Sequence, residues 1–209
     1  MKKVFVTIFA AVAMTFAVNA QDFTPGWNLG VMGGINYVTS NRWGNIGRFE
    51  HVTPNATIYV GYDVAPWLNL RGSVSGPAGT YPTKGGKVAS KITYAQVGVD
   101  AVADICDIFN YNPDRFFSPY VFLGVAGNCR FSVDNVKSNF GPGVRAGLGF
   151  DFRVSEKMKI AIELQDNALS NDFNTLDDNT YFGGNILKWK RPFKWDDNFA
   201  ALIGVKFAL

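Results

Sequence analysis

Past its first twenty residues the chain has no long apolar run. A helix that spans a membrane needs ~20 such residues, so none is expected in the rest of the sequence. Charge is also scarce. Asp, Glu, Lys and Arg make up 18% of the 209 residues, below the usual quarter of a soluble domain. Neither sign dominates, since the formal net charge is +3 at pH 7. That excludes the strong basic excess a nucleic-acid-binding protein would show. Histidine occurs once, as His51, and cysteine twice, as Cys106 and Cys129. No cysteine follows Ala20 directly, so a lipid-anchored N-terminus is not expected.

What the chain does have begins with a leader. Met1-Lys2-Lys3 is a short basic start, Val4–Val18 is apolar apart from two threonines, and Val18-Asn19-Ala20 offers small residues to a signal peptidase. Residues 1–20 read as a secretory signal peptide. Residues 21–209 read as a single all-β domain with a net charge of about +1.

Alternation then recurs along that domain. Arg145–Val154 reads RAGLGFDFRV: Arg145, Gly147, Gly149, Asp151 and Arg153 on one face, Ala146, Leu148, Phe150, Phe152 and Val154 on the other. This is the period of a β-strand with two unlike faces. The same pattern appears in Trp27–Tyr37, Ala56–Val64, Leu68–Gly76, Thr93–Ala103, Tyr120–Phe131, Met158–Ala168 and Phe199–Leu209. Eight strands of roughly 9–12 residues suit a tilted crossing of a bilayer. The connections alternate too. Those near residues 39–54, 77–90, 132–139 and 169–198 are longer on average than the intervening turns. The turn over 104–118 is an exception, in which Asn112-Pro113-Asp114 signals a reversal and a helical turn is expected.

A soluble eight-stranded barrel would alternate in the same way, with its apolar face lining a cavity. Three features favour the opposite orientation. Glycines share the charged face, where a narrow interior filled by its own side chains needs small residues. Cations and carboxylates on that face nearly balance: Arg71, Arg130, Arg145, Arg153, Lys159 and Lys206 against Asp63, Asp100, Asp151 and Glu163. Aromatics sit at strand ends on the apolar face, as Trp27, Tyr37, Tyr62, Phe152 and Phe199, which fits two interfacial girdles. The expected fold is an eight-stranded antiparallel up-and-down transmembrane β-barrel. Its lumen is expected to hold a paired network of Asp63, Arg71, Asp100, Arg145, Asp151, Arg153, Lys159, Glu163 and Lys206.

The last strand, LIGVKFAL, spaces Gly204, Phe207 and Leu209 like the C-terminal insertion signal of outer-membrane barrels, though Leu202 stands where a polar residue is usual. Asn112–Gly127 (NPDRFFSPYVFLGVAG) resembles the fifth-strand region of OmpA-like transmembrane domains. The resemblance implies an eight-stranded barrel of the OmpA or OmpX kind, inserted by the barrel-assembly machinery. The chain ends at its last strand, so the peptidoglycan-binding domain that OmpA-type chains often carry is not expected.

Catalytic and ligand signals are weak. Glu50 adjoins His51 and Ser40 is nearby, but their spacing gives no oriented nucleophile for a lipid A-modifying enzyme. Asp172, Asp177 and Asp178 lack the glycine and spacing of a calcium loop. Neither a cofactor nor a metal is expected. Lys188, Trp189, Lys190, Arg191, Lys194 and Trp195 interleave cations with aromatics, a set that can grip lipopolysaccharide phosphates or a surface partner. The cysteines fall at opposite ends of the expected barrel, about 25–30 Å apart along its axis. A disulfide between them is not expected, because it needs Cα atoms within ~7 Å. The leading expectation is a monomeric, non-catalytic barrel with a structural or surface-interaction role. A narrow pore for ions or small solutes is the alternative, and a lipid A enzyme a more distant one.

Overall fold

The structure, a computed structural model, describes residues 23–39, 52–80, 83–84, 87–88, 92–131, 138–170 and 195–209. Its strands are β1 (Trp27–Thr39), β2 (Val52–Ala65), β3 (Leu68–Thr80), β4 (Thr83–Lys84), β5 (Lys87–Val88), β6 (Ile92–Asp104), β7 (Phe117–Arg130), β8 (Asn139–Arg153), β9 (Met158–Ser170) and β10 (Trp195–Ala208). A short helix, α1 (Ile105–Phe109), links β6 to β7. Eight strands close into an antiparallel barrel in the order β1-β10-β9-β8-β7-β6-β3-β2, while β4 and β5 pair as a separate ribbon. The expected all-β up-and-down barrel is therefore what forms. Residues 1–22, which include the expected signal peptide, lie outside the described residues.

The faces fall where the alternation puts them. Asn28, Arg71, Gln96, Asp100, Arg145 and Glu163 are buried, whereas Val74, Val97, Val99, Leu123 and Ile203 are more than half exposed. A water-soluble protein does the reverse. An apolar outer face on all sides is stable only in a solvent of hydrocarbon, and a closed barrel is the sheet that leaves no backbone edge there. Aromatics mark two levels on that face. At the short-turn end Trp27 packs on Tyr62 at 4.9 Å between centroids, and Phe117 stacks on Phe150 at 5.8 Å. At the long-loop end Tyr37 and Phe199 are direct cross-strand partners.

The strands are longer than the alternation indicates, at 13–15 residues each. Apolar periodicity stops where lipid stops, but the backbone ladder continues into water because its N–H and C=O groups still pair. Thus β2 starts at Val52, with Pro54 in register with Ile35. β3 runs through a register shift between Ser75 and Ala78, where Gly76 takes a positive φ of 137° and precedes a cis proline.

The turns at the other end are tied down. Asp104 caps α1 by accepting from Cys106 N at 2.9 Å and Asp107 N at 3.0 Å. Beyond the helix Asn112 Oδ1 accepts from Asp114 N at 2.9 Å, so the Asn-Pro-Asp reversal is an Asx turn. The end of β10 is held on both sides: Ala208 N donates to Lys157 O and Leu209 N to Trp27 O, each at 2.9 Å.

Candidate functional site in the barrel lumen

Arg71 organises the interior. Its Nε donates to Asp100 Oδ2 at 2.9 Å, and its Nη1 to Glu163 Oε2 at 2.6 Å. The guanidinium carbon lies 4.6 Å from the ring centroid of Phe122 and 5.1 Å from that of Tyr59. The planar cation is thus held by carboxylates in its edge and aromatic faces beside it, a role lysine could not fill. Glu163 also accepts from Tyr120 OH at 2.9 Å and from Gln165 Nε2. Arg145 reaches the second oxygen of Asp100, with Nε 3.0 Å from Oδ1, and donates through Nη1 to Ser73 Oγ at 2.8 Å. Two guanidiniums and two carboxylates, each at most 4% exposed, therefore neutralise one another. Buried charge persists only with such partners.

Register explains how the bulky members fit. Tyr59 stands directly opposite Gly30, and Tyr120 directly opposite Gly149. A Cβ on either glycine would run into the facing ring. The phenol end of each ring lies over the bare backbone of its glycine. These pairs cannot be found in the sequence without the register.

Toward the long loops the lumen is filled by amides. Gln96 Nε2 donates to Asn128 Oδ1 at 2.8 Å, Asn128 Nδ2 to Gly141 O at 3.3 Å, and Asn198 Nδ2 to Tyr94 OH. Ala78, Tyr94 and Leu169 form a small buried apolar cluster at that level. Leu202, at the position where the insertion signal usually has a polar residue, packs inside with Met32, Tyr59, Ala161 and Ala200. Gly204 lies beside Met32, while Phe207 and Leu209 face outward.

At the short-turn end the lumen widens into a vestibule of about 230 Å³. Asp63, Asp151, Lys159 and Lys206 line it, with Asp104, Asp107 and Tyr111 from the β6–β7 connection. Lys206 Nζ is 3.5 Å from Asp151 Oδ2. The expected network does not extend to every member here. Among the described residues Asp63 is held by amides, Asn69 at 2.7 Å and Asn28 at 3.4 Å, and not by a cation. Lys159 lies directly opposite Lys206 across β9 and β10 and makes no ion pair among the described residues. Arg153 leaves the lumen altogether. Its Nη1 donates to Asp114 Oδ1 at 2.7 Å and to Pro113 O, clipping the β6–β7 connection to the end of β8. It is the last residue of β8, so no wall remains to hold it inward. On the β6–β7 connection, beyond the spanning strands, burial and the neighbouring Asp104 push the Asp107 carboxyl above its ordinary value.

Ser40, Glu50, His51, Asp172, Asp177, Asp178 and the 188–194 segment lie outside the described residues, and Trp195 is the first residue of β10. Among the described residues, no group of His, Cys, Asp or Glu is arranged to hold a metal ion. Cys106 and Cys129 are both free, and Cys129 faces outward.

A family model described as outer membrane protein beta-barrel domain matches residues 7–185. No curated protein sequence matches the chain. Several solved barrels share its fold. Neisserial surface protein A is 11% identical with a TM-score of 0.58, over 90% of this chain and 100% of that one. The outer membrane protein OprG of Pseudomonas aeruginosa is 14% identical with a TM-score of 0.55, over 88% and 96%. The N-terminal β-barrel domain of OprF from the same organism is 12% identical with a TM-score of 0.50, over 89% and 100%.

Proposed function

Because the chain belongs to the outer-membrane β-barrel family and resides in that membrane, we propose that it acts as a closed, non-catalytic barrel that supports the outer membrane and presents its long loops at the cell surface. The observation that carries this reading is a pair of contacts across the full width of the lumen. Arg71 on β3 meets Glu163 on β9, and Asn198 on β10 meets Tyr94 on β6. In both pairs the strands stand four apart in the ring of eight, whichever way round one counts. The two contacts lie at different heights, so a solute would have to break both. The vestibule is a blind recess on the periplasmic side. In this reading the 188–195 segment, with Lys188, Lys190, Arg191 and Lys194, supplies cations for lipopolysaccharide phosphates or a surface partner.

Purified protein in planar bilayers and in sugar-loaded liposomes tests the closed lumen. No stable conductance steps and no sugar-driven swelling are expected from the unaltered chain. Large steps from the unaltered chain would overturn the reading in favour of a pore. Lipid A mass spectrometry of cells with and without the protein tests the absence of catalysis. A change in acylation lost in His51→Ala would overturn that part.

A further inference from the structure

The β6–β7 connection has two unlike sides. Asp107 of α1 and Tyr111 just beyond it line the vestibule. Ile105 and Phe109, one helical turn apart and so on one face, are exposed, Phe109 to 77%. Ile105 extends the outward register of β6, in which Ala101 and Ala103 precede it on the lipid side. At the far end of the connection Phe116 is 68% exposed and packs edge-on against Phe152 at 6.1 Å. Phe117 tilts onto the same ring at 5.3 Å. Phe117, Phe150 and Phe152 belong to the apolar outer face of β7 and β8. The apolar outer face therefore continues onto the connection at both of its ends, through Ile105 from β6 and through Phe116 from β7 and β8, with the exposed polar residues Asn110, Asn112 and Asp114 between them.

We propose that this connection is an interfacial anchor, with Ile105, Phe109 and Phe116 seated among phospholipids at the headgroup–acyl boundary of the periplasmic leaflet. The occupant follows from continuity: the belt that ends in Phe152 and Phe116 is already in contact with lipid. Exposed aromatics next to that belt gain by entering the same boundary, where rings of this kind concentrate. The polar side of α1 is fixed from within. Arg115 Nη2 lies 3.3 Å from Asp107 Oδ1, and Asp104 caps the helix. The anchor thus rests on a braced turn and is not a loose loop. It makes the β6–β8 side of the barrel sit deeper on the periplasmic face than the β2–β3 side, where only Pro66 and Trp67 connect the strands. The proposal rests on the outer-membrane assignment and is independent of whether the lumen conducts.

Nitroxide accessibility tests it. In the full chain carrying Cys106→Ser and Cys129→Ser, single labels are placed through Phe109→Cys, Phe116→Cys and, as an aqueous reference, Glu156→Cys, and the protein is reconstituted in phospholipid vesicles. Labels at 109 and 116 are expected to collide several-fold more with oxygen, relative to a water-soluble nickel chelate, than the label at 156. The contrast should persist when the protein is diluted tenfold in lipid. Should Phe109→Cys fail to fold, Ile105→Cys reports the same face. Nickel accessibility at 109 equal to that at 156 would overturn the proposal. So would shielding from both reagents, or shielding lost on dilution, because either means that protein covers the face.

Discussion

Arg71 and Glu163, carried by strands on opposite sides of the barrel, meet at 2.6 Å. Asp100 completes the arrangement by serving both Arg71 and Arg145. Asp100→Asn would leave two buried guanidiniums facing one carboxylate. Breaking a buried ionic set on one side costs about 3–5 kcal/mol. The urea midpoint for unfolding from lipid vesicles, followed by circular dichroism, should fall accordingly. An unchanged midpoint would show that the network is not stabilised by this pairing.

Glycines on the two faces should respond differently to a methyl group. A Cβ at Gly149 would enter the Tyr120 ring, whereas one at Gly33 on the outer face meets nothing within 4 Å. Gly149→Ala is expected to cost about 1–3 kcal/mol, the usual range for overpacking. Gly33→Ala should be neutral within about 0.5 kcal/mol, as surface changes generally are. Equal effects in the same unfolding assay would contradict the inward placement of Tyr120.

Cross-linking checks the register. Ala95 and Cys129 are direct partners on β6 and β7. Ala95→Cys should therefore form a disulfide with Cys129 under mild oxidation, since opposed Cβ atoms lie ~4.5–5.5 Å apart. Val99→Cys, two pairs further along the same face, should not. Cys106 should remain unlinked to Cys129 in the folded chain. Peptide mapping of non-reduced digests separates these outcomes, and a Cys106–Cys129 peptide would break the strand order.

Asp107 should titrate above an ordinary aspartate, because burial and then Asp104 oppose its charge. Its folded-state value is raised, so the folded turn binds the proton more tightly than the unfolded chain does. The protonated form thus favours the fold, and that contribution fades as pH rises from the ordinary aspartate value through the raised one. Carboxyl NMR shifts give the midpoint directly. Asp104→Asn keeps a competent helix cap and should move the midpoint part of the way back. No movement would assign the whole shift to burial.

The sequence makes the sides of the strands legible but not their heights. Alternation places Arg71, Asp100, Arg145 and Glu163 inward together, because side-chain direction follows from parity alone. Parity places Arg153 inward as well. It misleads there because Arg153 ends its strand and finds Asp114 on the neighbouring connection. Asp63 shows a second limit: two amides satisfy a carboxylate that charge counting assigns to a cation. The Gly30–Tyr59 and Gly149–Tyr120 pairs depend on cross-strand register, which no single strand's pattern contains. The outward face of the β6–β7 connection was hidden by a run, DICDIFNYNPDRFFS, whose polar and apolar residues sort only once Asp104 caps a helix.

The contacts across the lumen also bear on how the chain assembles. Arg71 and Glu163 are 92 residues apart, and Tyr94 and Asn198 are 104 apart. Arg71 can find Asp100 as soon as β3 pairs with β6, but Glu163 reaches it only when the far wall has curled round. A partly inserted sheet would therefore present half-neutralised charge toward hydrocarbon, an arrangement that costs several kcal/mol per ion. Such sheets are poor resting states. The seam between β1 and β10 and the interior network must then form nearly together, which makes closure of this barrel an all-or-none step rather than a gradual zipping of strands.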